Sequence, residues 1–273
     1  MSIYLNIVKC SWGKCKFCAY DNLGLKGVPT HDEMKDLIGG ELQKMAKGQK
    51  YVKIFNGGSW FWDEVPLDLR NFVYDYLEEI QVKHLRVENT FNLIHWDEIQ
   101  SVIDRGFDLT ISWGLEAADE RILREVVKGV TLEKVGRMLD KASAMGVKNL
   151  LYLLAGLPYT TVEDFLHTVD WVMERKHQIS ELSTLTYVPI KGSEYYDTLW
   201  KTNKFRVISK EDWRTCREYL KEKTKNTGIG LTFETYHWRF LQGKTFEEVY
   251  NKDKKKGKLI HENVDGTTKD IMS

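Results

Sequence analysis

The sequence predicts an α/β protein, a parallel sheet with helices outside it, and three observations lead there. Six short apolar-rich segments alternate with stretches of helical period, the order that builds a parallel sheet. The chain has 273 residues, 42% hydrophobic and 29% charged, an ordinary globular composition with room for one large domain. The chemically unusual residues all fall at the carboxyl ends of the expected strands, the face on which parallel barrels and open α/β sheets build their sites.

The elements follow in order. "SIYLNIV" (2–8) alternates apolar and polar residues as a strand does, and "HDEMKDLIGGELQKMA" (31–46) has helical spacing. "YVKIF" (51–55) is the second strand. "LDLRNFVYDYLEEI" (67–80) places Leu69, Phe72, Val73, Tyr76, Leu77 and Ile80 on one helical stripe. "KHLRVE" (83–88) is the third strand, and "HWDEIQSVIDRG" (95–106) a helix stopped by glycine. "FDLTISWG" (107–114) is the fourth strand. Asp119 caps the short helix of "DERILREVV", and Leu132, Val135, Met138, Leu139, Ala142 and Met145 share one face of a helix over 131–146. "VKNLLYLLAG" (147–156), a helix over 161–176 and "SELSTLTYV" (180–188) complete six strands. Residues 1–205 form the expected core. Residues 206–273 form a C-terminal extension with a helical pattern around "KEDWRTCREYL" (210–220), one extra strand and a lysine-rich tail. "FETYHWRF" (233–240) reads as an edge strand or as an aromatic patch able to stack on a base.

Forty basic and forty acidic residues give a formal net charge of zero, so no global field steers a polyanion to the chain. No apolar run approaches the roughly 18 residues of a membrane span. The N-terminus is too short and too alternating for a signal peptide. The expected compartment is the cytosol, where clustered cysteines serve more often as ligands or redox groups than as disulfide partners.

Three of the four cysteines stand within nine residues: Cys10, Cys15 and Cys18, spaced C-x4-C-x2-C after the first strand. Three thiolates can hold three irons of a [4Fe–4S] cluster and leave the fourth open. A structural zinc site would need a fourth protein ligand, Cys216 or a histidine. A dithiol redox couple at C-x2-C would leave Cys10 idle. On spacing alone all three readings stand. Cys216 lies in a helical pattern far along the chain and reads as a small helix residue. The seven histidines show no metal-binding pattern, and there is no GxSxG elbow or GxxxxGK phosphate loop.

With an aromatic before the third cysteine, the cysteine loop resembles that of the radical S-adenosylmethionine (SAM) enzymes, whose commonest spacing is C-x3-C-x2-C. "NGGS" (56–59), "GLEAADERILREVVKG" (114–129), "LLAGLPYTTVEDF" (153–165) and "TYVPIKGSEYY" (186–196) are similar to later segments of that superfamily. "CSW", "CKFCAYDN", "KIFNGGSWFWDEVP" and "YYDTLWKTNKFR" resemble its archaeosine synthase radical SAM subunit, with the elongator-type catalytic subunit more distant. The resemblance implies a partial (β/α)6 barrel. It implies a [4Fe–4S] cluster on Cys10, Cys15 and Cys18, with SAM on the fourth iron. It also implies an electron donor such as ferredoxin or flavodoxin, and a substrate of the tRNA-base type reached alone or with a partner subunit.

The same resemblance distributes the remaining roles. Phe17 packs over the cluster and adenine, and Tyr20 lies near the adenine. Gly57 and Gly58 let the backbone approach the methionyl amine without a Cβ, and Ser59 adds a hydroxyl. Glu88 and Glu116 can accept from a ribose diol or an amine, and both are the candidates for catalysis. Ser112 faces the ribose, and Gly156 and Tyr187 stand at the ends of strands five and six. Lys128 and Gly129 read as a structural helix end, and Trp60 and Trp62 as part of an aromatic wall over the substrate. A radical enzyme acting on a peptide or small molecule, and a non-catalytic iron–sulfur or zinc protein that binds a partner, are the competing classes.

Overall fold

The computed structural model of the chain describes residues 2–5, 9–19, 29–45, 47–234 and 243–245. Strands and helices alternate: β1 (Ser2–Tyr4), α1 (His31–Leu42), β2 (Tyr51–Phe55), α2 (Leu67–Glu79), β3 (His84–Asn89), α3 (Trp96–Asp104), β4 (Asp108–Glu116), α4 (Glu120–Glu125), α5 (Leu132–Ala144), β5 (Lys148–Ala155), α6 (Val162–Glu174), β6 (Ile179–Thr186), α7 (Lys210–Thr224) and β7 (Gly230–Glu234). The strands form one seven-stranded sheet in the order of the chain. Every neighbouring pair is parallel. The architecture is a partial barrel.

Local chemistry accounts for the helix starts. Thr30, Thr131, Thr161 and Ser209 each accept a backbone N–H three residues on, and Asp119 accepts from Arg121 and Ile122 as expected. Thr30 and Thr161 close full capping boxes with Glu33 and Asp164. The helices end one to four residues short of the bounds that the apolar period alone suggests. Alternation along the strands then divides the faces. Leu85 and Val87, Ile111 and Trp113, and Leu151 and Leu153 are buried in one core with Val73, Leu77, Val102, Leu139 and Val169 of the helices. The intervening Arg86, Glu88, Ser112 and Tyr152 face the concave side and hydrogen-bond across it.

The structure adds a seventh strand to the six expected as the core. β7 pairs with β6 in the register Glu181↔Gly230 to Leu185↔Glu234, so residues 206–234 continue the same sheet through α7 and β7. It is the extra strand expected in the extension, set at Gly230–Glu234 rather than at 233–240, and its residues alternate between exposed and half-buried. Leu231 and Phe233 pack against the core, Phe233 edge-on to Trp213 of α7 with centroids 6.0 Å apart. Residues 235–240 of the aromatic patch, residues 6–8 of the first strand and the lysine-rich tail lie outside the described residues. Among the described residues no helix is long and apolar enough to cross a membrane.

Candidate functional site

One cavity opens at the carboxyl ends of the strands, as a parallel sheet leads one to expect. Cys10, Trp12, Cys15, Phe17 and Cys18 line it from the loop after β1, and Gly57 and Gly58 from the loop after β2. Glu88 and residues 89–92 come from the end of β3, Ser112, Gly114 and Glu116 from β4, Lys128 and Val130 from the turn after α4, and Tyr152 from β5. A larger hollow, about 490 Å3, lies at the amino ends of the strands beside Lys50, Glu78 and Lys83. It holds no thiol, and its Arg105 is already paired with Asp75 (2.7 Å) and Glu78 (3.2 Å).

The cysteine loop is strapped down on several sides. The Ser11 N–H donates to Glu64 Oε1 (2.6 Å), the Trp12 indole N–H to the Val127 carbonyl (2.9 Å), and the Lys16 N–H to the Val126 carbonyl (3.1 Å). Gly13 turns the chain at φ +53°, a conformation that favours glycine. Trp12 lies flat against Gly129, where an added Cβ would stand 2.1 Å from the ring. Burial pushes the Cys10 and Cys15 thiols up, opposed in part by the Gly13 backbone at Cys10 and by Lys128 at Cys15. Among the described residues no three His, Cys, Asp or Glu side chains converge on one point as the ligands of a single ion must. The three thiols are spread around one cavity, which suits a polynuclear group with one thiolate on each iron. Cys216 lies elsewhere, buried in the main core under α7, its thiol pushed up to about 12 by burial.

Two carboxylates face the cavity with different partners. Glu88 is half-buried and looks into the cavity, and desolvation raises it to about 7 despite the Tyr152 hydroxyl that donates to it at 3.2 Å. Tyr152 in turn accepts from Arg86 (3.2 Å), whose Nε–H donates to Ser112 Oγ (2.7 Å). Glu116 is paired with Lys128 at 2.8 Å, both side chains more than nine-tenths buried. Burial alone would lower the Lys128 amine, but the Glu116 carboxylate and the neighbouring thiols outweigh it and raise it. Glu116 sits at φ +68°, where the β4–β5 register shifts. A non-glycine residue in that region is the kind of local strain that clusters at sites.

Of the residues singled out from the sequence, Cys10, Cys15, Cys18, Phe17, Gly57, Gly58, Glu88, Ser112 and Glu116 line this cavity. Three others stand behind its wall. The Ser59 hydroxyl is turned to Thr90, bonded to both its hydroxyl (2.8 Å) and its N–H (2.9 Å). Gly156, at φ +80°, makes room for Ile208, which an added Cβ would meet at 2.8 Å. Tyr187 is buried edge-on beneath Phe17, centroids 6.5 Å apart. Tyr20 lies outside the described residues. The aromatic wall does not form where expected: Trp60 is fully buried and donates to the Tyr74 hydroxyl (2.8 Å), and Trp62 stacks on His95. Burial decided the place of Trp60, and Trp62 is half-buried on the His95 ring.

Lys128, Tyr152, Trp12 and Glu64 are site or site-wall residues that the sequence reading placed elsewhere or passed over. Lys128 had its signal in the KG pair but reads as a helix end, because its partner Glu116 is twelve residues away across a turn. Glu64 carried no signal at all, since its two partners belong to different loops.

A sequence profile of the Radical SAM superfamily matches residues 7–172. The oxygen-independent coproporphyrinogen III oxidase of Helicobacter pylori is 24% identical over 186 residues, 64% of this chain and 40% of that protein. The chain thus spans about two-fifths of the length of the curated relatives it matches. Among solved structures, queuine lyase from Clostridium spiroforme bound to SAM and queuine superposes with a TM-score of 0.62 at 15% identity, over 86% of this chain and 91% of that one. The archaeal Elp3 of Methanocaldococcus infernus superposes with a TM-score of 0.56 at 16% identity, over 82% and 58%. The matched segment runs from the cysteine loop through α6; the chain belongs to the radical SAM superfamily, enzymes built around a [4Fe–4S] cluster and SAM.

Proposed function

We propose that this radical SAM enzyme abstracts a hydrogen from a nucleobase-type substrate, a tRNA base of the archaeosine type being the first choice. The cavity joining three thiols, a glycine pair, two carboxylates and a serine supports the radical SAM site, and the nucleobase choice rests on the resemblance of the cysteine loop and residues 53–66 to the archaeosine synthase subunit. In this reading Cys10, Cys15 and Cys18 hold the cluster. A [4Fe–4S] cluster held there would supply one-electron reductive cleavage of bound SAM, the chemistry from which hydrogen abstraction follows.

The chain's own residues do the positioning. Gly57 and Gly58 bring bare backbone beside the methionyl end. Glu88, Glu116 and Ser112 offer acceptors to the ribose and the amine, and Lys128 fixes Glu116 in place through their 2.8 Å ion pair. Phe17 covers the cluster side, with Tyr187 supporting it from behind. Ser59 and Gly156 shape the wall, and Tyr20 is assigned to the adenine by resemblance alone. Glu88, at about 7, is able to hold or release a proton near neutrality. A cytosolic ferredoxin or flavodoxin would deliver the electron.

A second reading, a free base or other small molecule as substrate, is favoured by the near-complete length agreement with the queuine-bound lyase. Anaerobic reconstitution tests the class: a brown protein with about four irons and four sulfides that forms 5′-deoxyadenosine with dithionite. Incubation with bulk tRNA, and separately with free queuine, followed by mass analysis of nucleosides and bases, separates the two readings. A product in the tRNA arm supports the first and a product in the free-base arm the second. Absence of product in both arms from a SAM-cleaving enzyme refutes the nucleobase assignment.

A further inference from the structure

We propose that Glu64 is a positioning residue that clips the cysteine loop to the glycine loop, and that residue 58 is glycine because the Glu64 carboxylate occupies the space of its side chain. The proposal rests on the assignment of the three cysteines to the cluster for its consequence, but not for its geometry.

Glu64 is 8% exposed, and among the described residues no cation pairs with its carboxylate. A buried, unpaired carboxylate is held by hydrogen bonds or not at all. Its two oxygens go to different segments of chain. Oε1 accepts the Ser11 N–H at 2.6 Å, one residue from Cys10, and Oε2 accepts the Ser59 N–H at 2.6 Å, one residue from Gly58. The residues joined in this way are 48 positions apart, and Glu64 itself is 53 positions from Ser11. Charge-assisted bonds of this length are the strong ones, and neither N–H bonds within a strand or helix.

Gly58 supplies the independent observation. A Cβ built on it would stand 1.8 Å from Glu64 Oε2 and 2.7 Å from Glu64 Cδ, and its three nearest neighbours are all atoms of that carboxylate. Its φ is not in the left-handed region, unlike that of Gly57 at +76°, so alanine is acceptable to the backbone. The requirement for glycine at 58 therefore comes from the clip, and the requirement at 57 from the turn. Within the first cysteine gap Ser11 is held by Glu64 and Trp12 by the Val127 carbonyl, with Gly13 at φ +53° after them.

Three variants and their combination test this. Glu64→Gln would keep shape but set an amide N–H against a backbone N–H. Glu64→Ala removes both bonds. Gly58→Ala brings the clash, and Gly58→Ala/Glu64→Ala removes its cause. In the apo protein, trypsin should cut after Lys14 about tenfold faster in Glu64→Gln and Glu64→Ala than in the parent, with melting curves still cooperative. In the reconstituted protein, chelator should strip iron from both about tenfold faster, the scale of a lost outer-shell contact. Gly58→Ala should show the same defects, and adding Glu64→Ala to it should cause no further loss, the non-additivity of two changes at one contact. Parental cleavage and stripping rates in Glu64→Gln overturn the proposal, as does a double variant whose defects are the product of the two singles. Should Glu64→Ala fail to fold, Glu64→Gln decides alone. If the cysteine-to-alanine variants keep their iron, the ligand assignment fails, and the tryptic rate of the apo protein still decides the clip.

Discussion

Replacing Lys128 by methionine should destabilise the apo protein more than any other single change at the cavity wall. Lys128 Nζ is 2.8 Å from Glu116 Oε1, and the two side chains are 8% and 9% exposed. Methionine keeps the length and apolar stem of lysine and removes the charge, leaving the Glu116 carboxylate in the wall without its counter-ion. Removing one partner of a buried pair costs about 3–5 kcal/mol, whereas replacing both is often near neutral. For a chain of this size each kcal/mol moves the midpoint by roughly 2–4 °C, so Lys128→Met should melt about 6–20 °C below the parent. The Lys128→Met/Glu116→Gln protein should recover most of that loss. Because the pair is largely shielded from solvent, 1 M salt should change the gap little. The assay is thermal unfolding of the metal-free proteins at pH 7, followed by circular dichroism. A single variant within 2 °C of the parent, or a double variant lower than the single, would falsify the view that Glu116 depends on Lys128.

Cys10→Ala, Cys15→Ala and Cys18→Ala should each abolish the visible absorbance of the reconstituted protein, whereas Cys216→Ala should keep it and lose only about 1 kcal/mol for the small cavity left under α7; iron assay and melting curves separate the two behaviours. Glu88→Gln should flatten part of the pH dependence of stability. Burial raises the folded carboxylate from an ordinary 4.5 to about 7, so the folded state binds the proton more tightly and this group's contribution falls as pH rises from 4.5 to 7, by at most about 3 kcal/mol; apo melting curves that fall in parallel for parent and variant across that window refute the assignment. Gly129→Ala should displace Trp12, whose ring lies 2.1 Å from the added Cβ, and so loosen the cysteine loop; unchanged tryptophan fluorescence and unchanged iron retention would count against it.

The alternation of strands and helices was legible in the sequence because each element carries its own period and several helices their own cap. Val52 and Ile54, the stripe of α2 and the Thr161 box declare themselves within a few residues, and short-range physics decides them. The cysteines, the glycine pair, Glu88, Ser112 and Glu116 were legible as a site because a parallel sheet brings the ends of all its strands to one rim, so that position in the element predicts position in space. What only the tertiary structure decided depends on pairs far apart in the chain. Strand β7 is a strand because β6 offers an open edge and α7 a surface for Phe233, not because "GLTFE" insists on it. Trp60 went to the core because a large ring gains most where it is wholly enclosed, and Trp62 went to the His95 ring. Lys128 became a wall residue through Glu116, and Ser59, Gly156 and Tyr187 became backing through Thr90, Ile208 and Phe17. Glu64 was silent because a carboxylate that accepts from two loops has no local pattern. Its role exists only once residues 11 and 59 have been folded to the same side of it.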